Sequence, residues 1–336
     1  MANKKSSQAT ASAFGWIFQT AAGLYLLLDC IEKATDIEME GKKEDIEITL
    51  DDHRVIYAQA KSTIDINDTK NNRKKLKSAL TSLSDCTKPV AKLIYVTNIL
   101  NPLNSDTQQH YIYSRTPYSS FLDADKATIT QILSEIDNGS NFQTSKFELV
   151  SFKFTGEDDI QLYSAVLEKV KEFISKTLVS ESKAVSVLNE WKCLLMDNNA
   201  QHCKLSKSDI VFPLILVTIE NQDVEKRYNE VCNLGIYDET IGKYGEFVRK
   251  IPHKTEFFIK VCGHYQKQFP QGGDNINSFV EDEVNWREYI AEFAEIEKDE
   301  EMLESLIKIL LLETLLKRKA IGSIKEATKL TVQYDN

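Results

Sequence analysis

Apolar and polar positions change their period along this chain, and the changes mark out its elements. From Phe14 to Lys33 apolar residues cover most faces of a helix, with Ser12 placed to cap it. Ile37 to Glu40 is short and strand-like. Asp45 to Leu50 then alternates apolar with polar, Asp51-Asp52-His53 reads as a turn, and Arg54 to Lys61 as the returning strand. A basic helix follows, extended by the apolar spacing of "SALTSLSD". "AKLIYVTN", Ala91 to Asn98, is almost continuously apolar, as a central buried strand is. A polar, proline-bearing loop spans Ile99 to Asp123. A helix over Lys126 to Ile136, a strand over Phe147 to Thr155 and a capped helix over Asp158 to Leu178 close this part. The order predicts an α/β sandwich with a mixed sheet flanked by helices.

Past residue 180 the pattern turns helical and strands nearly vanish. Helices are predicted over "SVLNEWKCLLM", Val224–Leu234, Thr240–Lys250, Thr255–Gln268, Asn277–Glu297 and Glu300–Lys319, while Val211 to Ile219 is an ambiguous apolar run. The last helix, "LIKILLLETLLKRK", is apolar almost all round, which suits either the centre of its own domain or the seam of an assembly. The expected organisation is therefore a disordered tail over 1–12, an α/β domain over 13–180 and a mainly α-helical domain over 181–336.

Composition sharpens this picture only in places. A length of 336 residues suggests two domains, and 42% apolar residues suffice for real cores. With no uncharged apolar run of membrane length, no membrane segment is expected, and "MANKKSSQATAS" does not read as a signal peptide. Six scattered cysteines read as reduced, mostly buried thiols of a cytoplasmic protein. The five histidines pair with no nucleophile motif, and there is no P-loop, so the chain is not itself an ATPase. A net charge of −10 discourages loose binding to nucleic acid. One segment departs from it: "KNNRKKLK" holds Lys70, Arg73, Lys74, Lys75 and Lys77 and no acid. It is either a face that tracks phosphates or a solvated helix surface.

The hairpin carries the candidate chemistry. Pairing its strands about His53 sets Asp45 beside Lys61 at one sheet edge, with Gln59 close by. A carboxylate, an amide oxygen and an ammonium would then meet at one point. Mg2+ takes hard oxygens of the kind Asp45, Gln59 and the Ala60 carbonyl offer, with Mn2+ as an alternative. Lys61 would orient a water or stabilise charge developing on a phosphate. From composition alone, the stretch is also an ordinary hairpin with charged, exposed ends.

Four stretches follow one another along the chain: "GWIFQ" (Gly15 to Gln19), "EGKKEDIEI" (Glu40 to Ile48), "YAQAKST" (Tyr57 to Thr63) and "YVTN" (Tyr95 to Asn98). In that order the chain resembles the PD-(D/E)XK nuclease core. It is closer still to the double-stranded DNA endonuclease domain of bacterial antiphage effectors. That domain occurs in cyclic-oligonucleotide-activated effectors and in the nuclease subunits of Lamassu-type, SMC-associated systems, and the resemblance spans residues 13 to 178. It implies a restriction-endonuclease-like sheet and a Mg2+-dependent endonuclease. Asp45 matches the metal-binding aspartate, and Gln59 and Lys61 match the Q-x-K pair, Gln59 standing where an acid is more usual. Glu40 matches the preceding acid, and Gln19 the helix glutamine that positions a ligand or water. Glu44 departs from the pattern and is either a spare ligand or a solvated charge, the second being the favoured reading.

The same resemblance implies partners. They are double-stranded DNA, an SMC-like ATPase, a small accessory subunit and further copies of the chain in an active homo-oligomer. The ligand-sensing domains of the cyclic-oligonucleotide effectors are α/β, so the helical second half fits a docking domain better. Two alternatives remain: a second half that senses a cyclic oligonucleotide, and a non-catalytic DNA-binding module on a nuclease-like fold.

Overall fold

In the computed structural model of the chain, residues 2–66, 71–86, 89–103, 111–201, 203–219, 224–251, 254–270 and 275–331 are described. Lys70, one of the candidate DNA contacts, lies outside them. The chain divides into two compact units, 1–173 with 188–207, and 174–187 with 208–336.

The first unit is built on a seven-stranded sheet in the order β5-β6-β4-β3-β2-β1-β7. Its strands are β1 (Ala34–Met39), β2 (Ile46–Leu50), β3 (Val55–Lys61), β4 (Val90–Thr97), β5 (Arg115–Pro117), β6 (Phe147–Ser151) and β7 (Lys204–Ser206). β3, β4 and β6 are parallel, and every other pairing is antiparallel. Helix α1 (Ala2–Cys30) packs on one face, while α2 (Asn72–Ser84) and α3 (Asp123–Ser134) share the other. α4 (Asp159–Leu162) and α5 (Ser164–Ile174) follow β6.

Both faces are therefore covered. β3 is buried at every position but Lys61, which is why its sequence alternates poorly. Phe18 and Tyr25 of α1 stack on Phe152, with centroids 5.3 and 4.6 Å apart. Gly23 lets α1 approach β1, because a Cβ there would lie 2.7 Å from the Met39 sulfur. On the opposite face Leu76, Leu80 and Leu83 of α2 join Val55, Tyr57, Leu93 and Tyr95 in one core. The stretch Thr10–Cys30 is long and apolar enough to cross a membrane, but half of it is buried inside the protein. It reads as a core helix.

Several sequence expectations need correction. α1 starts at Ala2, so helix runs through the segment expected as a disordered tail. β7 lies beyond the expected domain boundary at 180, yet pairs with β1 through Ile37 and Leu205. A three-residue strand is too short to show a period, so pairing alone reveals it. The expected helix from Asp158 is broken at Tyr163 and ends at Ile174, although its cap is as read: the Gln161 N–H donates to Asp158 at 2.8 Å.

The second unit is helical. α6 (Ala184–Gln201) and α7 (Lys207–Ile219) span the boundary between the units. α8 (Val224–Val231), α9 (Tyr237–Arg249), α10 (Lys254–Gln268), α11 (Ile276–Glu281), α12 (Glu283–Arg287), α13 (Ile290–Phe293), α14 (Glu300–Leu316) and α15 (Arg318–Thr328) follow. The ambiguous run Val211 to Ile219 is helix, buried all round. The single helix expected over 277–297 is three short ones. Asp282 is extended and caps α12 by accepting from the Val284 N–H at 3.0 Å, which ends α11.

α14 is the centre of this unit and packs against α8, α9, α10, α11, α12 and α13. Leu306, Ile309, Leu310, Leu311, Leu312 and Leu315 are all essentially inaccessible. Its all-round apolar character is thus accounted for by its own unit, the first of the two alternatives open for this helix. Its one buried acid, Glu313, pairs with Arg227 of α8 at 3.1 Å. None of the six cysteines is in a disulfide, and Cys193 and Cys203 are exposed rather than buried.

Candidate active site

The hairpin of β2 and β3 places the site. Leu50 and His53 close its turn, the His53 N–H donating to the Leu50 carbonyl at 2.9 Å, with His53 at φ 65°. That left-handed residue fixes the register, in which Ile46 faces Ala58 and Ile48 faces Ile56. Continued by one step, Asp45 faces Gln59. The expected partner, Lys61, is two positions further on. Because side chains alternate with period two, Asp45, Gln59 and Lys61 still share one face, the face on which Tyr57 meets α2.

The contacts at this edge are specific. The Ala60 N–H donates to Asp45 Oδ2 at 2.9 Å, and Lys61 Nζ lies 3.7 Å from the same oxygen. Gln59, 5% exposed, hydrogen-bonds Asp45 through its side chain. Across the edge, Gln19 Nε2 of α1 donates to Glu40 Oε1 at 2.7 Å. Glu40 sits at φ 48°, where a non-glycine residue needs support, and its N–H donates to the Asp45 carbonyl at 2.8 Å. Gln19, Glu40, Asp45, Gln59 and Lys61 are thus one connected group at the carboxyl end of the parallel strand β3. In open sheets of this type, ligands bind at that end.

Burial holds the Asp45 carboxyl above the usual carboxylate range. Lys61 and the Ala60 N–H pull it down, and the nearby Glu40 charge pushes it up. The rise is thus a cost of burial first, with the Glu40 charge a smaller contribution. Among the described residues no group of three His, Cys, Asp or Glu side chains could hold a metal ion. A divalent ion of the Mg2+ type needs less from the protein: it is held by one or two carboxylates, with waters and substrate phosphates completing its shell. Asp45, the Gln59 amide oxygen and the Ala60 carbonyl fit that demand in number and hardness, with Glu40 beside them.

Three residues that sequence reasoning left without a role hold this edge in shape. The Glu47 carboxylate accepts from the Lys43 N–H at 2.9 Å and fills the space beside Gly41, organising the loop before Asp45. Thr97 Oγ1 donates to the Lys61 carbonyl at 2.6 Å. Buried Asn98 accepts from the Thr63 N–H at 2.9 Å and donates to the Thr63 carbonyl at 2.8 Å. The last two belong to "YVTN", so its polar end pins the exit of β3. The sequence signal was two polar residues ending an otherwise apolar strand.

Glu44 is not a solvated charge. It is 3% exposed and accepts from the Cys86 thiol at 3.5 Å, while its Oε2 has no hydrogen-bond partner. Burial pushes its carboxyl up to about 8, against the Cys86 hydrogen bond that lowers it. The ordinary value is 4.5, so between pH 4.5 and 8 the unfolded chain releases this proton while the folded chain keeps it. Stability is then lost as pH rises through that window, by about 5 kcal/mol at most from this group. Glu44→Gln will remove the loss. Urea denaturation in a chelator will show the variant gaining on the parent at pH 8 but not at pH 4.5; an equal difference at both would show that Glu44 is ionised in the fold.

The basic run divides. Arg73 and Lys77 pair with Glu135 of the α3 end at 3.4 and 2.9 Å, and Lys75 Nζ donates to the Ser62 carbonyl at 2.7 Å. Lys74 is exposed. Lys75 thus ties α2 to the strand exit beside Lys61, while Arg73, Lys74 and Lys77 remain at the surface of the helix that follows the site.

Compared with known proteins, the chain matches no family model and no curated protein. Among solved structures it is similar to the Cap4 SAVED/CARF-domain containing receptor of Moraxella osloensis, at 15% identity and a TM-score of 0.39, over 62% of this chain and 48% of that one. It is also similar to the Cap4 SAVED/CARF-domain containing receptor of Acinetobacter baumannii with the cyclic trinucleotide 2'3'3'-cAAA, at 12% identity and a TM-score of 0.40, over 61% and 45%. The chain spans about half the length of these structures.

Proposed function

We propose that the first unit is a restriction-endonuclease-like, metal-dependent endonuclease that hydrolyses phosphodiester bonds of double-stranded DNA. The observation that carries this reading is the convergence of Asp45, Gln59 and Lys61 on one face at the carboxyl end of β3, with Glu40 and Gln19 beside them. Asp45 and Gln59 would hold Mg2+ or Mn2+. The bound ion supplies a Lewis acid for the phosphate and a water of lowered pKa. Lys61, a fixed cation 3.7 Å from Asp45, donates to the attacking water or to the charge that develops on the phosphate. Gln19 holds Glu40, whose carboxylate would accept a proton from the attacking water. Arg73, Lys74 and Lys77 steer the DNA backbone toward the edge.

On the resemblance of the four motifs alone, such an enzyme would serve as an antiphage effector. An SMC-like ATPase and a small accessory subunit would restrain it until it assembles as a homo-oligomer. A double-strand break needs two such sites, which assembly supplies. Supercoiled plasmid incubated with the full-length protein and Mg2+ or Mn2+ will be linearised, and a chelator will stop the reaction. Intact plasmid with both ions, from monomeric and assembled fractions alike, would sink the proposal.

A second reading, a nucleotide sensor in the C-terminal half, is favoured by one feature, a cation-lined cavity in the second unit.

A further inference from the structure

α10 and α15 line a half-open cavity of about 500 Å³ within the second unit. Its lining among the described residues holds three cations, Arg318, Lys319 and Lys325, and no carboxylate. Like charges around one space repel, and an anion there would relieve them. The rest of the lining is largely apolar, from Ile259, Phe269 and Ile321, with the Gln266 amide as a neutral polar group.

The arrangement is ordered rather than a loose patch of lysines. Arg318 donates to the Leu315 carbonyl at 2.9 Å, and its guanidinium lies 5.4 Å from the ring centre of Tyr265. Tyr265, 3% exposed, packs on Phe269 and Phe279 with centroids 5.2 and 5.5 Å away, so the wall behind Arg318 is rigid. Arg318 and Lys325 both act on the thiol of Cys262, which also lines the cavity. Gly322 opens the space: a Cβ placed there would touch nothing within 4 Å.

We infer that this cavity binds a small organic phosphate, with the phosphate against Arg318, Lys319 and Lys325 and an apolar or aromatic body along Ile259, Phe269 and Ile321. A planar guanidinium fork with two ammonium groups matches a dianionic phosphate better than a single carboxylate. The volume is that of an ordinary small-ligand pocket. Nucleotides combine both chemical parts. The site is independent of the nuclease edge, and it narrows the sensor reading to one place.

Calorimetry on the full-length protein in chelator, without DNA, tests it with AMP, a cyclic tri-adenylate, adenosine and inorganic phosphate. AMP, a dianionic phosphomonoester, will bind saturably; the cyclic tri-adenylate, whose phosphodiesters carry one charge each, will bind more weakly, and adenosine and inorganic phosphate each roughly tenfold or more weakly than AMP, because each lacks one half of the recognised chemistry. Arg318→Ala and Lys325→Ala will weaken binding by about tenfold or more. Gly322→Leu will abolish it by filling the space, and will preserve helicity because leucine is the better helix former. Nucleotide binding that survives Gly322→Leu would overturn the cavity as the site yet leave the sensor reading standing. Absence of saturable binding by every probe would remove both.

Discussion

Lys61→Ala will lower the rate of plasmid cleavage by roughly 10²–10³-fold, the usual loss when one fixed group opposing transition-state charge is removed. The fold will not change. The Lys61 side chain is 27% exposed, and its ion pair with Asp45 is long at 3.7 Å, so its contribution to stability is small. Circular dichroism of the variant will overlay that of the parent. In chelator, without metal, the Asp45 carboxyl of the variant will titrate higher than that of the parent, because Lys61 is the strongest influence lowering it. Unimpaired cutting by Lys61→Ala would leave the hairpin edge as charged surface and nothing more.

Leu311→Glu with Leu315→Glu will unfold the second unit rather than dissociate an oligomer. Both leucines are fully buried on α14, within the unit's own core. Removing a buried leucine side chain costs about 2–5 kcal/mol, and an unpaired buried carboxylate adds several more. Two such changes match or exceed the 5–15 kcal/mol that holds a typical domain together. Far-UV circular dichroism will show most helix of residues 208–331 lost, and limited proteolysis will degrade that part first. Native helicity with a reduced sedimentation mass would instead return α14 to the role of an interface.

Much of the site was legible because it depends on parity and order. The alternation of Asp45 to Leu50 and the turn at Asp51-Asp52-His53 place Asp45, Gln59 and Lys61 on one face whichever of two registers is adopted. The register itself was misjudged by two residues, since it depends on how His53 closes the turn, and a left-handed histidine leaves no mark in a hydrophobic pattern. Gln19 and Glu40 were named through the motif resemblance. Their 2.7 Å hydrogen bond joins residues 21 positions apart, which no local period encodes.

By itself the amino-acid sequence determined the period of most long elements, the change from α/β to all-helical organisation, and the face of the hairpin on which Asp45, Gln59 and Lys61 lie. These follow from the spacing of apolar residues, a local property that survives any tertiary arrangement. Tertiary structure alone decided what covers each face. It buried Glu44 beneath Cys86, 42 positions away, and turned a presumed surface charge into a carboxyl held near pH 8. It paired Lys77 with Glu135 across 58 positions, and it wrapped α14 in its own unit. Burial and pairing set the desolvation and Coulomb energies of these groups, and both depend on residues that meet only after the chain has folded.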